Sequence, residues 1–315
     1  MSTTALVLLI IVIALAALAA AFAVLQRIAE NRHPPAGEFI DHDGVRLHYV
    51  ETGVPAGETV VLLHGNGSMI QDFASSGLVE LLSPRYRVLC FDRPGFGHSS
   101  RPRTRPMTPE AQAELLAAAL ERLGVRTPHL VGHSWGTLVA LALAFRAEPA
   151  VRGLVLAGGY YFPTRRWDAW LMAGPALPLV GDVLRYTIVP LLGWLLAPVT
   201  IRNLFAPQPV PARFAAEFPL ALALRPKQLR ATAEEAVLMV PGAARLARRY
   251  PDLPCPIEVF HATGDRVVEP DQAPRLHGLA PASVLHIVHD AGHMMHHAIP
   301  EDLAAAVDRL HRGAG

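Results

Sequence analysis

The chain is poor in cysteine. Only Cys90 and Cys255 occur in 315 residues, far apart, and no spacing suggests a metal site built on sulfur. Each lies in or beside a predicted strand and reads as a buried free thiol. Charge of one sign is also lacking. Lys and Arg number 28 against 27 Asp and Glu, a net charge of +1 with no long block of either sign. Nucleic-acid binding therefore has no electrostatic footprint here. Internal repeats and low-complexity tracts are absent apart from one apolar run. Within that run, Ala5 to Leu25, there is no polar residue at all.

A helix of that length is about 30 Å long and matches a bilayer core. A cleaved signal peptide is the rival reading, with "AAAFA" as its small-residue site. Against it, the run is long for such a peptide and "MSTT" before it carries no Lys or Arg. A retained anchor over residues 1–33, including a short link, is the preferred expectation. Arg27 and Arg32 follow the span and no basic residue precedes it, which places the rest of the chain on the cytoplasmic side.

Over the whole chain half of the residues are hydrophobic (51%), enough for a substantial core. The pattern then alternates. Strands are predicted at 45–51, 58–65, 86–92, 129–134, 151–159, 256–265 and 283–292. Helices are predicted at 108–124, 135–148 and 300–312. Thr108 can cap the first of these, Pro109 suits its first position and Gly124 can close it. Such alternation predicts an α/β fold with a mostly parallel sheet between two helical layers. Residues 160–250 break the rhythm. They are rich in Leu, Pro, Ala and Arg and read as a helical cap inserted into a core of 34–159 and 251–315. Its most apolar stretch, 187–201, is short for a second span and is interrupted by Pro190, Gly193 and Pro198. A cap helix over an apolar pocket is the main reading; a surface dipping into the bilayer is the minor one.

"HLVGHSWGTLVALALAF" carries the chemistry. Serine is a poor nucleophile without a base and a group that orients the base. G-x-S-x-G at a strand-to-helix junction puts Ser134 on a sharp turn, with Gly132 and Gly136 where side chains would clash. The helix N-terminus favours the negative charge that develops there. Asp265 and His293 follow in the chain order Ser…Asp…His, each at the carboxyl end of a predicted strand. In that reading Ser134 attacks, His293 carries the proton, and Asp265 holds the imidazole. The oxyanion donors are the backbone N–H groups of Trp135 and, from "HGNGSM", Asn66. No metal or other cofactor is required. His296 and His297 read as packing beside the His293 loop, His64 and His133 as hydrogen-bonding scaffold, and His261 as structural. Asp92 precedes the nucleophile and reads as tying down a turn with Arg93. Asp168 is a weaker alternative acid.

Five stretches, "LLHGNGS", "FDRPGFGHSS", "VGHSWG", "HATGDRVVEP" and "GHMMHH", make the chain from about 40 to 312 resemble the α/β-hydrolase superfamily, in its capped, lipase- and epoxide-hydrolase-like branch. The neighbouring haloalkane dehalogenases bind halide with an Asn after "HG" and a Trp after the nucleophile, and Asn66 and Trp135 match both positions. The departure is Ser134 where that family uses Asp. A serine displacing halide, or opening an epoxide, would leave an ether that water does not cleave. An acyl-serine is a hydrolysable ester. The resemblance thus implies a cofactor-independent serine hydrolase of a small, lipophilic acyl substrate, with the Trp135 ring walling the pocket. Hydrolysis of a β-diketone-type C–C bond, acyl transfer, perhydrolase activity and non-catalytic ligand binding remain open at this point. The oligomeric state is not legible.

Overall fold

The structure, a computed structural model, describes residues 1–167 and 172–313. Eight strands form one sheet: β1 (Glu38–His42), β2 (Val45–Gly53), β3 (Thr59–Leu63), β4 (Arg87–Phe91), β5 (His129–His133), β6 (Gly153–Ala157), β7 (Ile257–Ala262) and β8 (Ser283–Val288). Their order is β1-β2-β4-β3-β5-β6-β7-β8. Strand β2 runs antiparallel to both neighbours, and β4 through β8 are parallel. Every residue of β3, β5, β6 and β7 is buried. This is why they read as unbroken apolar runs rather than alternating ones.

The described helices are α1 (Thr3–Arg32), α2 (Ile70–Ser76), α3 (Leu78–Leu82), α4 (Pro109–Arg122), α5 (Trp135–Ala144), α6 (Val180–Tyr186), α7 (Ile188–Phe205), α8 (Ala212–Glu217), α9 (Leu220–Ala223), α10 (Pro226–Ala247), α11 (Gln272–Leu279) and α12 (Pro300–Arg312). Alternate residues of each strand feed opposite layers. Val61, Leu63, Leu130 and Leu156 meet α4, α5 and α11; Val60, Leu62, Val131 and Val155 meet α2, α3 and α12. At α4 the Thr108 hydroxyl accepts from Ala111 N–H at 3.2 Å with Pro109 next, as its sequence indicates.

Four elements had no sequence signal strong enough to predict. Strand β1 and helices α2 and α3 are too short for periodicity to register. Helix α11, "QAPRLHGL", carries Pro and Gly within eight residues. The last strand ends at Val288 rather than 292, because Asp290 takes a positive φ of 56° in a turn.

Between β6 and β7 the described chain is helical. Helix α10 is its longest member at 22 residues, and it joins the core directly. Ala243 and Leu246 enter the α4–α5 layer, and a side chain at Gly242 would meet Pro109 at 2.9 Å. Helix α7 runs 18 residues, with Pro190 in its first turn and Pro198 inside it. Helices α1 and α7 are the two described helices long and apolar enough to cross a membrane, with mean hydropathy 3.2 and 1.5 over their most apolar stretches. The first of them does not end as a free rod. Its last turns bury Phe22 and Ala29 against the insertion, and Glu30 pairs with Arg225 at 2.9 Å.

Candidate active site

Strand β5 runs straight into α5 through Ser134, which holds φ 52° and ψ −121°. The turn works because its flanks lack side chains. A Cβ on Gly136 would lie 2.1 Å from the Leu63 carbonyl oxygen, and one on Gly132 would lie 2.9 Å from that of Gly136. Close packing of α5 on the end of β3 therefore demands glycine at both positions.

The Ser134 hydroxyl lies 2.9 Å from His293 Nε2, and His293 Nδ1 lies 2.8 Å from Asp265 Oδ2. The other Asp265 oxygen accepts from the Val267 and Val268 N–H groups at 2.8 and 3.0 Å. Burial opposes charge on this carboxyl. The imidazole of His293 and the three hydrogen bonds outweigh it and hold Asp265 below the usual carboxylate range. His133 supports the base from behind by donating from Nε2 to the His293 carbonyl at 2.9 Å. Burial keeps His133 neutral well below the ordinary histidine range.

The loop after β3 reaches Ser134. A Cβ on Gly65 would stand 3.1 Å from the Ser134 Cβ, so this loop lies against the nucleophile. Asn66 is the next residue. Its backbone N–H meets no backbone carbonyl among the described residues. The N–H of Trp135 is the first of α5 and has no intrahelical acceptor.

The side chains of this Asn/Trp pair are committed elsewhere. Asn66 Nδ2 donates to the Thr232 carbonyl and Trp135 Nε1 to the Glu235 carbonyl, both at 3.1 Å and both on α10. Trp135 is 2% exposed and belongs to the core, with Arg93 stacked 4.9 Å from its ring. That corrects the expectation of a pocket-wall ring: α10 covers it.

Arg93 holds this region together, and it does not pair with Asp92 as anticipated. Its guanidinium donates to Glu235 in two bonds of 2.5 and 2.9 Å and to the carbonyls of His64 and Gly65 at 2.7 and 2.9 Å. Gln112 also donates to Glu235, at 2.8 Å. Asp92 instead accepts from His48 Nδ1 at 2.7 Å and from the Ile70 and His98 N–H groups at 2.9 and 2.8 Å. No periodic or motif signal marked Glu235, since it lies in a segment without a recognisable pattern. His64, pushed down to about 3 by burial and by Arg93, is a neutral strut: Nδ1 donates to Gly65 and Nε2 accepts from Arg93 N–H.

His296 and His297 sit in a 3₁₀ turn and both reach Asp72 Oδ1 on α2, at 3.0 and 2.9 Å. Asp72, His133 and His296 bring ligand-capable atoms within 4.8 Å of one another. The Asp72 oxygen is already taken by two imidazole N–H groups, which makes this a buried hydrogen-bonded cluster. His261 is buried in β7. Cys90 and Cys255 are free and buried, each thiol pushed up to about 12. Asp168 lies outside the described residues.

The sequence profile of the alpha/beta hydrolase fold matches residues 58–298. The chain belongs to this family. Among curated relatives, this α/β hydrolase is 26% identical over 295 residues to haloalkane dehalogenase 2 of Mycobacterium tuberculosis, covering 87% of this chain and 94% of that one. It is 30% identical over 259 residues to 2-hydroxy-6-oxononadienedioate/2-hydroxy-6-oxononatrienedioate hydrolase 2 of Pseudomonas putida, covering 79% and 85%. Among solved structures, a membrane phospholipase A described as a bacterial virulence factor is similar with a TM-score of 0.63 at 22% identity. That match covers 99% of both chains, so it takes in the N-terminal helix.

Proposed function

We propose that this α/β hydrolase is a membrane-anchored, cofactor-independent serine hydrolase that cleaves an ester or related acyl bond of a lipophilic substrate. One observation carries the reading: the continuous Ser134–His293–Asp265 hydrogen-bond chain at 2.9 and 2.8 Å. In this mechanism His293 Nε2 takes the Ser134 proton as Oγ attacks the acyl carbon. The Asn66 and Trp135 N–H groups receive the oxyanion. The proton passes to the leaving alcohol, and water then attacks the acyl-serine by the same route. Asp265, charged and closed to solvent, fixes the tautomer with Nε2 free to accept.

The dehalogenase relative does not redirect this reading. A serine that displaced halide would leave an ether that water does not cleave, and the single side-chain donor of Trp135 is already given to α10. An apolar cleft of about 440 Å³ lies between Thr164–Trp167 and Ala236–Pro241 of α10, but Ser134, Asp265 and His293 do not line it. A lipophilic substrate is supported first by the apolar helices α1 and α7 that the domain carries. It is supported too by the likeness, over the whole chain, to a phospholipase of membranes. Arg27 and Arg32, exposed after the apolar run, favour the cytoplasmic side for the domain.

The test is turnover of p-nitrophenyl esters of rising acyl length by the full chain in detergent, beside Ser134→Ala. Turnover lost in the variant, with a preference for longer chains, supports the reading. The Pseudomonas putida relative favours a second reading, C–C hydrolysis of a ring-cleavage product. No ester turnover, with Ser134-dependent cleavage of a vinylogous β-diketone, would put that chemistry first.

A further inference from the structure

Helix α7 is built inside out for a soluble protein. Over its first three turns the seam it turns to the molecule is small, with Pro190 and Ala197 buried and a Cβ on Gly193 meeting Leu224 at 2.5 Å; a large residue, Phe205, is buried only at its last turn. The face it turns outward is large and apolar: Leu191, Leu192, Leu195, Leu196 and Val199, with Leu195 65% exposed. An ordinary surface helix buries the large residues and exposes the polar ones. Here the single charged residue is Arg202, in the last turn.

The patch does not stop at α7. Leu179, Val180 and Val183, on and just before α6, are also exposed. Contiguous apolar surface of this extent marks an interaction site. Its position says what covers it. Trp194 of α7 lines a small cleft with Phe22, Leu25 and Gln26 of α1, where the 21-residue apolar run gives way to polar residues. If α1 spans a bilayer, Trp194 lies at the level of the lipid–water boundary, where tryptophan is favoured. The exposed face of α7 then meets the same membrane that α1 crosses.

We propose that α7, with the adjoining residues 179–183, is a second membrane contact: a helix lying in the boundary layer of the bilayer with its Leu191–Val199 face among acyl chains. It does not span. Its seam is committed to the protein, and Pro190 and Pro198 sit within it. This rests on the reading of α1 as an anchor. Two contacts, one across the bilayer and one along it, fix the orientation of the domain where one alone would leave it swinging. The insertion, and the Ser134 site beneath α10, then face lipid rather than water.

The test uses the full chain in phosphatidylcholine vesicles. Both native cysteines are buried, so a spin label can be directed to one introduced thiol at a time. Leu195→Cys reports on α7, Leu9→Cys on α1, and Val54→Cys, beside the start of β4 at the far end of the sheet, on open solvent. We expect the Leu195 label to be relaxed by dissolved oxygen and shielded from a water-soluble nickel chelate, as at Leu9 and unlike Val54. Free access of nickel at Leu195 with Leu9 shielded would overturn the proposal and leave the anchor standing. Nickel access at Leu9 would overturn both. Exclusion of both relaxers at Leu195, with dipolar broadening between labels, would mean that a second copy covers the face, and would overturn it too. A Leu192→Asp/Leu195→Asp variant gives an independent readout. Its rate on an ester embedded in vesicles should fall about tenfold while its rate on soluble p-nitrophenyl butyrate stays within about twofold. Unchanged rates on both would overturn the proposal. Loss of both would leave the decision to the labels. Absence of any esterase turnover would count against the proposed chemistry, and the label pattern would still decide the membrane contact.

Discussion

Ser134 occupies a backbone conformation that serine accepts only under constraint, and the constraint comes from two glycines and the end of β3. Gly136→Ala would force its Cβ onto the Leu63 carbonyl. We expect it to lose turnover and soluble expression together, where Ser134→Ala keeps a native circular dichroism spectrum and loses activity alone. For Asp265→Asn, we expect kcat to fall by about four orders of magnitude with KM little changed, since the imidazole is left in the wrong tautomer. Two further residues make the fold sensitive to pH. His64 and His133 are fully enclosed and stay neutral, while in the unfolded chain they protonate near pH 6.5. A depressed folded pKa means that their contribution to stability is complete above pH 6.5 and is lost as the pH falls. The slope is at most about 1.4 kcal/mol per pH unit for each. Urea unfolding at pH 7.5, 6.5 and 5.5 should show the decline, and His64→Gln should make it shallower; an identical slope in the variant would contradict the assignment. At this scale the sequence was eloquent where chemistry needs fixed neighbours, as in "GHSWG" and the Ser…Asp…His order. It was silent on Arg93, whose partners come from segments far away in the chain.

Among the elements, α10 does most to shape the site. It takes the side chains of Asn66 and Trp135 on its carbonyls, and through Glu235 it holds Arg93 and with it the loop that carries Asn66. The Arg93–Glu235 pair is almost closed to solvent on both sides. Removing only one partner leaves an uncompensated charge. Glu235→Ala should therefore cost about 3–5 kcal/mol in unfolding free energy. Replacing both, Arg93→Met with Glu235→Leu, should recover most of that stability. It should not recover kcat, because the double variant also removes the guanidinium that donates to the carbonyls of His64 and Gly65. Recovery of full kcat in the double variant would show that the pair serves folding alone. Nothing in the pattern of 226–247 pointed to this duty. Its composition reads as helical, but the loops on which a helix lies are a matter of tertiary packing.

For the molecule as a whole, the mostly parallel sheet and its two helical layers follow from alternating apolar runs and capped helices, and they were legible; the order in which the strands pair was not. The reach of α1 into the insertion was not. An apolar run reads as an anchor whether or not its end is docked, and the docking rests on the single residues Ala29 and Glu30. This gives a prediction about truncation. A chain starting at residue 22 keeps Glu30 opposite Arg225, whose guanidinium is closed to solvent. A chain starting at residue 34 loses it, at a cost on the order of 1–3 kcal/mol. We expect the shorter chain to melt several degrees lower. Equal melting temperatures would show that the end of α1 is a bystander.

Arg225 also stands just before α10 as its N-cap residue, and its guanidinium reaches the Gly97 carbonyl as well as Glu30. From Glu30 to Arg225, along α10 to Glu235, and across Arg93 to Gly65, the contacts form an unbroken strut from the end of α1 to the loop beside the nucleophile. The catalytic loop and the N-terminal helix are thereby mechanically linked, although the bond-making atoms never touch that helix.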